Sequence, residues 1–350
     1  MKIVVLAGGL STERAVSLVT GTGICRALRE RGHRAVLVDL FLGLEEVSKN
    51  LEDLFDAPDG LCPDAKIEAV APDLEAVRRS RKDQGPRIFG PNVLELCQLA
   101  DLVFVGLHGQ DGEDGRVQAA LELLGVPYTG SGYLSSGIAM DKAVSKRIMN
   151  ASGIPTPKWK PLNYQAEDAT GLAAELPMPC VIKTTTGGSS LGVFLPEDRT
   201  ELEEALGKAL SFGREVIWEE RIYGRELTVA VLGDRALPAV ETVPAGKDFD
   251  YAAKYQKGAA LETCPANLTE KEAEEAGALA LAVHRCLGLA VYSRTDMMLD
   301  KEGKLWCLEA NSLPGMTPTS FVPQEAAAVG MSYGELCEEI VRLSLKIKRR

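Results

Sequence analysis

The chain carries no Cys-x-x-Cys pair, no long apolar run and no internal repeat, and each absence removes a class of protein. Its eight cysteines (Cys25, Cys62, Cys97, Cys180, Cys264, Cys286, Cys307 and Cys337) lie far apart. That spacing argues against a disulfide framework and for buried thiols in a reducing compartment. The most apolar longer segment, LALAVHRCLGLAVY from Leu279, is interrupted by His284 and Arg285, and it falls short of the roughly 20 residues of a membrane span. Met1 leads directly into KIVVLAGG, without the pattern of a secretion signal, so a cytoplasmic location is expected. No G-x-x-x-x-G-K-[ST] occurs, and no G-x-G-x-x-G follows the first strand. A P-loop NTPase and a nicotinamide dehydrogenase are therefore disfavoured. Thirty-nine Lys+Arg against 50 Asp+Glu give a formal charge of −11, which makes nucleic acid and anionic membrane poor partners.

What is present is an ordinary globular composition, 45% hydrophobic with 34 Gly and 18 Pro over 350 residues, enough for two or three domains. Lys2 to Leu6 reads as a strand, Gly8-Gly9 as a turn, Thr12 to Arg31 as a helix stopped by Gly32, and RAVLVDL from Arg34 as a second strand. Leu102 to Leu107 reads as another buried parallel strand, so the first domain is expected to be α/β. Between them, residues 41–90 are rich in Pro and charge, and their RRSRK run from Arg78 reads as a solvated face. A helix from Asp141 to Ser152 is expected to stop at Gly153 with Pro155 beyond, following a domain boundary near residue 130. PCVIK, a Gly/Thr/Ser loop, a helix around Glu201 to Leu210 and EVIWEE suggest a second α/β unit. The last third is strand-rich up to Asn311 and closes with a helix from about Ser332.

Two segments carry the strongest chemistry. In VIKTTTGGSSLGV a strand delivers Lys183 to a loop whose glycines would let backbone N–H groups approach phosphate oxygens, with hydroxyls from Ser189 and Ser190; a bare Gly/Ser hairpin tip is the alternative. In VYSRTDMMLDKEGKLWCLEAN, DKEG reads as a hairpin turn. If Leu299 pairs with Lys304, Asp296 faces Cys307, Glu309 is its diagonal neighbour, and Arg294 lies opposite Glu309. Asn311 shares that face. Three hard oxygen ligands would converge there, too few for a closed cage but suited to Mg²⁺ completed by phosphates and water; a surface hairpin with scattered charges is the alternative. AGGLSTERAVS, with Glu13, and LHGQDGEDG, with His108, follow strands, where open α/β sheets bind ligands. Alone, Glu13 could be a helix-dipole acid and His108 a satisfied turn histidine.

Taken together, GGLSTERAVS, LHGQDGEDG, YTGSG, MDKAVSK, VIKTTTGGSSLGV, GRELTV, DYAAKY, CPANL, RTDMMLD and LEANSLPGMTPTS run in the order found in D-alanine-D-alanine ligases of the ATP-grasp superfamily. The resemblance spans nearly the whole chain except residues 41–90. It implies a three-domain ATP-grasp fold with a Rossmann-like α/β N-terminal domain and α+β character toward the C-terminus, divided as 1–130, 131–219 and 220–350. It implies ATP as co-substrate, two Mg²⁺ (Mn²⁺ as a substitute) on Asp296, Glu309 and Asn311, and a homodimer. Lys142, Lys183 and Ser190 would contact phosphates, Glu219 the adenine amine, Ile222 the base and Glu226 the ribose. Glu13 would pair with the first D-alanine's ammonium, with His108 beside it. Lys254 and Ser320 would take the second carboxylate, while Arg294 and the Gly315 N–H would stabilise the oxyanion. Tyr255, on a lid spanning residues 243–265, would bond with Ser189 and Glu13, an arrangement associated in the family with joining two amino acids. Departures from the family pattern are Thr184, where proline is usual, in a TTTGG loop, and Thr295 in place of an aliphatic; the role of Glu220 is open.

Overall fold

The computed structural model describes residues 1–45, 50–63, 65–67, 72–187, 192–212, 215–244 and 260–349. It opens with β1 (Lys2–Ala7), α1 (Arg14–Glu30) and β2 (Arg34–Asp39), followed by α2 (Leu74–Ser80), α3 (Val93–Leu99), β3 (Leu102–Val105) and α4 (Arg116–Leu123). β1 pairs in parallel with both β2 and β3. β1 is buried from Ile3 to Ala7, as a parallel strand covered on both faces requires. Gly21 explains how α1 comes so close: a Cβ there would meet that of Ala7 at 2.5 Å. α1 ends where Gly32 takes φ +87, the left-handed stop that glycine adopts without strain.

A helical pair, α5 (Tyr133–Met140) and α6 (Lys142–Ala151), leads into β4 (Trp159–Leu162), α7 (Ala169–Glu175), β5 (Cys180–Thr184), β6 (Val193–Phe194), α8 (Arg199–Ala209) and β7 (Val216–Glu220). Asp141 caps α6, its Oδ1 accepting from Ala143 N and Val144 N at 2.9 Å. The sheet order is β4-β7-β5-β6, and every pairing is antiparallel. The second unit expected to be α/β is thus an antiparallel sheet backed by α7 and α8.

The third sheet is built from β8 (Gly224–Leu232), β9 (Arg235–Ala236), β10 (Val240–Pro244), β11 (Ala260–Thr263), β12 (Tyr292–Asp300) and β13 (Leu305–Asn311). Its order is β11-β10-β8-β12-β13, with β9 on β8. α9 (Glu270–Cys286) covers one face, and α10 (Phe321–Ala328) and α11 (Tyr333–Ser344) follow. Apolar packing crosses the linear order. Ala139 and Met149 from α5 and α6 join the core of the third sheet. Leu336, Cys337, Ile340 and Val341 of α11 join the core of the first. The central sheet has its own core around Ile182, Leu206 and Trp218.

In the 41–90 region, Arg78, Arg79 and Lys82 are exposed as expected, but Arg81 is buried. Its guanidinium donates to the carbonyls of Asp83, Gly85 and Arg87 at 2.6–2.7 Å and stacks on Phe41, 4.2 Å from the ring centre. Carbonyls that no strand or helix satisfies hold this cation.

Candidate active site

A cavity of about 540 Å³ opens between the central and third sheets. One end is apolar, lined by Val181, Val193, Leu195, Ile222, Met298 and Leu308, a slot suited to a planar base. Glu219 and Glu226 border it, and the other end holds Lys142, Lys183, Asp296 and Glu309.

The hairpin at the charged end differs from the expected register. Leu299 pairs with Leu305, not Lys304, and a β-bulge interrupts the ladder between Asp296 and Met297. Beyond it Asp296 pairs directly with Glu309, and Arg294 with Asn311. Turn and bulge each shift the register by one, so their sum restores the side-chain alternation. The bulge also lets Cys307 stay in the core while Leu308 and Glu309 both face the cavity. Arg294 Nε and Nη2 donate to Asp296 Oδ1 and Oδ2 at 2.9 and 2.7 Å, and Asn311 Nδ2 donates to Oδ2 at 3.3 Å. Burial works against the Arg294 charge, but Asp296 outweighs it and raises its pKa. Lys142 Nζ stands 3.4 Å from Glu309 Oε2 and donates to Gly187 O at 2.9 Å.

At the base end Glu219 is buried between two lysines, with Lys183 Nζ 2.9 Å from Oε1 and Lys146 Nζ 2.7 Å from Oε2. Burial would raise the Glu219 carboxyl, but the two ammonium groups outweigh it and hold it below the ordinary carboxylate range. Lys146 was not expected from the sequence; its i+4 spacing from Lys142 on α6 was the available signal.

The N-terminal loops close the far side. Glu13 is buried, and a Cβ on Gly109 would come within 2.9 Å of its Oε2. His108 Nε2 lies 3.0 Å from Thr20 Oγ1, and its Nδ1 lies 3.7 Å from Glu113 Oε1. Burial raises the Glu113 carboxyl despite the neighbouring His108. Nothing in the sequence singles out Glu113 among the acids that crowd the GEDG turn; only the fold sets its carboxylate beside the His108 ring. Glu113 shares a small hollow with Lys142, Gly187, Glu309 and Asn311, which joins the first domain to the charged end. Gly315 and Ser320 are neighbours, a Cβ on the glycine reaching 2.9 Å from Ser320 Oγ. Arg294 lies 5.7 Å from the ring centre of Phe321. Of the residues expected at the site, Lys142, Lys183, Glu219, Ile222, Glu226, Asp296 and Glu309 line this cavity and Asn311 the adjoining hollow; Arg294 is held on Asp296, whereas Glu13, His108, Gly315 and Ser320 lie outside both linings. Ser189, Ser190, Lys254 and Tyr255 lie outside the described residues.

The donor set fits a hard divalent cation. The cavity lining carries six carboxylates against four cationic side chains, so a polyanionic ligand enters only with cations of its own. Asp296 and Glu309 line the cavity and Asn311 the adjoining hollow; two carboxylates and an amide oxygen suit Mg²⁺ that shares its sphere with phosphates. Among the described residues no group of three His, Cys, Asp or Glu forms a protein-only cage. No helix among them is long and apolar enough to cross a membrane.

Comparison with known proteins agrees with this geometry. The D-ala D-ala ligase N-terminus family matches residues 2–131, and the D-ala D-ala ligase C-terminus family matches residues 148–342. A D-alanine–D-alanine ligase of Pediococcus pentosaceus is 43% identical over 343 residues, covering 97% of each chain. The Bacillus anthracis D-alanine–D-alanine ligase complexed with ATP matches with a TM-score of 0.72 at 30% identity, over 99% of this chain and 98% of that one. A D-Ala:D-Ser ligase from Enterococcus faecalis matches with a TM-score of 0.74 at 26% identity, over 98% of this chain and 99% of that one. The chain belongs to the D-ala D-ala ligase family.

Proposed function

We infer that the protein is an ATP-dependent ligase that joins two D-alanines into D-alanyl-D-alanine for peptidoglycan precursor synthesis. The observation that carries this reading is the continuity of one site: an apolar slot, a lysine-and-carboxylate end, and Glu113 of the His108 loop in the adjoining hollow with Lys142, Glu309 and Asn311.

The first D-alanine's carboxylate attacks the γ-phosphate of ATP, giving an acyl phosphate and ADP; the second D-alanine's amine then displaces phosphate. Glu13 holds the first ammonium, with His108 beside it. Lys142 and Lys183, with Ser190, bind the phosphates, while Glu219, Ile222 and Glu226 hold the base and ribose. Asp296, Glu309 and Asn311 would hold two Mg²⁺ or Mn²⁺, which supply charge neutralisation of the transferring phosphoryl oxygens. Arg294 and the Gly315 N–H stabilise the tetrahedral oxyanion. Ser320, at the N-terminus of α10, and Lys254 receive the second carboxylate. The acyl phosphate needs protection from water. The lid over residues 243–265, with Tyr255 bonded to Ser189 and Glu13, would provide it; its flanks pair at Val243 and Leu261 at the cavity edge.

The division into 1–130, 131–219 and 220–350, each centred on one sheet, belongs to the same reading. All eight cysteines are free thiols, which supports a cytoplasmic enzyme, and the exposed Leu123, Tyr133 and Leu134 on adjoining helices support a homodimer. The test is ATP-dependent phosphate release with D-alanine alone and paired with D-serine, D-lactate and L-amino acids, with products identified by mass. D-alanyl-D-alanine as the preferred product is expected. Preferential D-alanyl-D-serine or D-alanyl-D-lactate would instead support a ligase with a different second substrate.

A further inference from the structure

Lys146 has no part in the chemistry described above, yet it is one of the most completely buried charges in the protein, with 0% of its side chain exposed. Its ammonium donates to Thr156 Oγ1 at 2.6 Å and lies 2.7 Å from Glu219 Oε2. It does not line the cavity; Glu219 stands between it and the slot. The i, i+4 spacing places Lys142 and Lys146 on one face of α6, so one helix sends two ammonium groups to opposite ends of one site. Burying a lysine is costly unless its charge is matched. Burial does lower the Lys146 pKa, although Glu219 resists the change.

We infer that Lys146 is a positioning residue that fixes the Glu219 carboxylate as an acceptor for the 6-amino group of the nucleotide base and so sets the preference for adenine. The inference rests on the reading of the cavity as an ATP site. An ionised carboxylate accepts at about four lone-pair positions. Lys183 donates to Oε1 at 2.9 Å, and Lys146 is ion-paired with Oε2 at 2.7 Å, an oxygen that accepts no hydrogen bond among the described residues, so the two ammonium groups fix the carboxylate's position and leave it acceptor capacity. A 6-oxo base presents an acceptor to that anion and is rejected, whereas a 6-amino base completes its hydrogen bonds. Without Lys146, Lys183 becomes the only ammonium on Glu219. The carboxylate then loses its orientation toward the base, while Lys183 keeps its contact with Oε1.

The experiment compares equilibrium binding of ATP and of inosine triphosphate, which carries a 6-oxo group, with Mg²⁺ present, in wild type and Lys146→Met. The variant is expected to weaken ATP roughly tenfold, the scale of one charge-assisted hydrogen bond. Inosine triphosphate binding changes by no more than about twofold, so the ATP preference collapses. In turnover the KM for ATP rises in parallel, while kcat at saturating ATP stays within about threefold. Equal weakening of both nucleotides, or an undiminished ATP preference, overturns the inference, because a merely structural lysine would treat the two alike. If Lys146→Met does not fold, Thr156→Val decides: it keeps every charge but frees the ammonium. A fall of about threefold in ATP preference supports the inference, and an unchanged preference overturns it. Wild-type protein that binds both nucleotides equally also overturns it. Wild type that shows the ATP preference yet releases no phosphate with D-alanine would instead contradict the ligase reading and leave this inference standing.

Discussion

Two lysine–glutamate pairs hang from the same helix and differ in almost every physical respect. Lys146–Glu219 is 2.7 Å long with side chains 0% and 1% exposed, whereas Lys142–Glu309 spans 3.4 Å with 10% and 27% exposed. The first is a permanent part of the fold, with Lys183 completing a buried triad. The second faces the cavity and is loose enough to exchange its partner for a ligand. The base end of the site is therefore preformed, and the phosphate end is held by ions that the incoming nucleotide rearranges.

The largest effect expected from breaking this contrast is on stability. Glu219→Ala leaves two buried ammonium groups without their anion and should cost about 3–5 kcal/mol, whereas Glu309→Ala should cost under about 1 kcal/mol. Urea unfolding of both variants checks the difference. Comparable losses would mean that the two pairs are equally structural.

Acid titration sharpens the contrast. The Glu219 pKa is lowered in the fold, so its stabilisation is present above the ordinary glutamate value and is lost as pH falls through the folded value. Glu219→Gln should flatten unfolding free energy against pH in that acid range. A separate slope lies above it. His284 is buried, with Nδ1 2.6 Å from Ser293 Oγ, and burial pushes its pKa from 6.5 to about 4. Its folded pKa is depressed, so stability is full above pH 6.5 and falls between there and about 4, by up to about 3 kcal/mol. His284→Gln should remove that upper slope and leave the Glu219 slope in place.

The smallest effect lies behind the hairpin. Thr295 stands between Arg294 and Asp296 but faces the core, where its Oγ1 is buried without a partner among the described residues. Thr295→Val keeps the shape, removes the unsatisfied hydroxyl and should stabilise by about 1 kcal/mol. A raised melting temperature with unchanged turnover checks it.

The sequence carried the elements well and their junctions less well. α1 and α6 were legible because Gly32, Asp141 and Gly153 mark their ends. The parallel strands were legible because β1 to β3 are continuous apolar runs. The Asp296/Glu309/Asn311 face was expected, but through the wrong pairing. A bulge leaves no residue signature in TDMMLD or WCLEAN, so the direct opposition of Asp296 and Glu309 is a property of the fold. The antiparallel central sheet was hidden for a related reason, since β5 and β7 are buried strands whose apolar runs do not report direction. Arg81, Lys146 and Glu113 were illegible because a charged residue in sequence reads as solvated, and only tertiary structure supplies the carbonyls, carboxylate or imidazole that bury it.

The most direct test of a preformed base end beside an ion-held phosphate end is Glu309→Ala measured two ways, by D-alanine-dependent phosphate release and by adenosine binding. Loss of a carboxylate at the phosphate end should lower turnover by about a hundredfold or more, while adenosine, which has no phosphate to be held, should bind within about twofold of wild type. Normal phosphate release, or adenosine affinity lost together with turnover, would contradict the account.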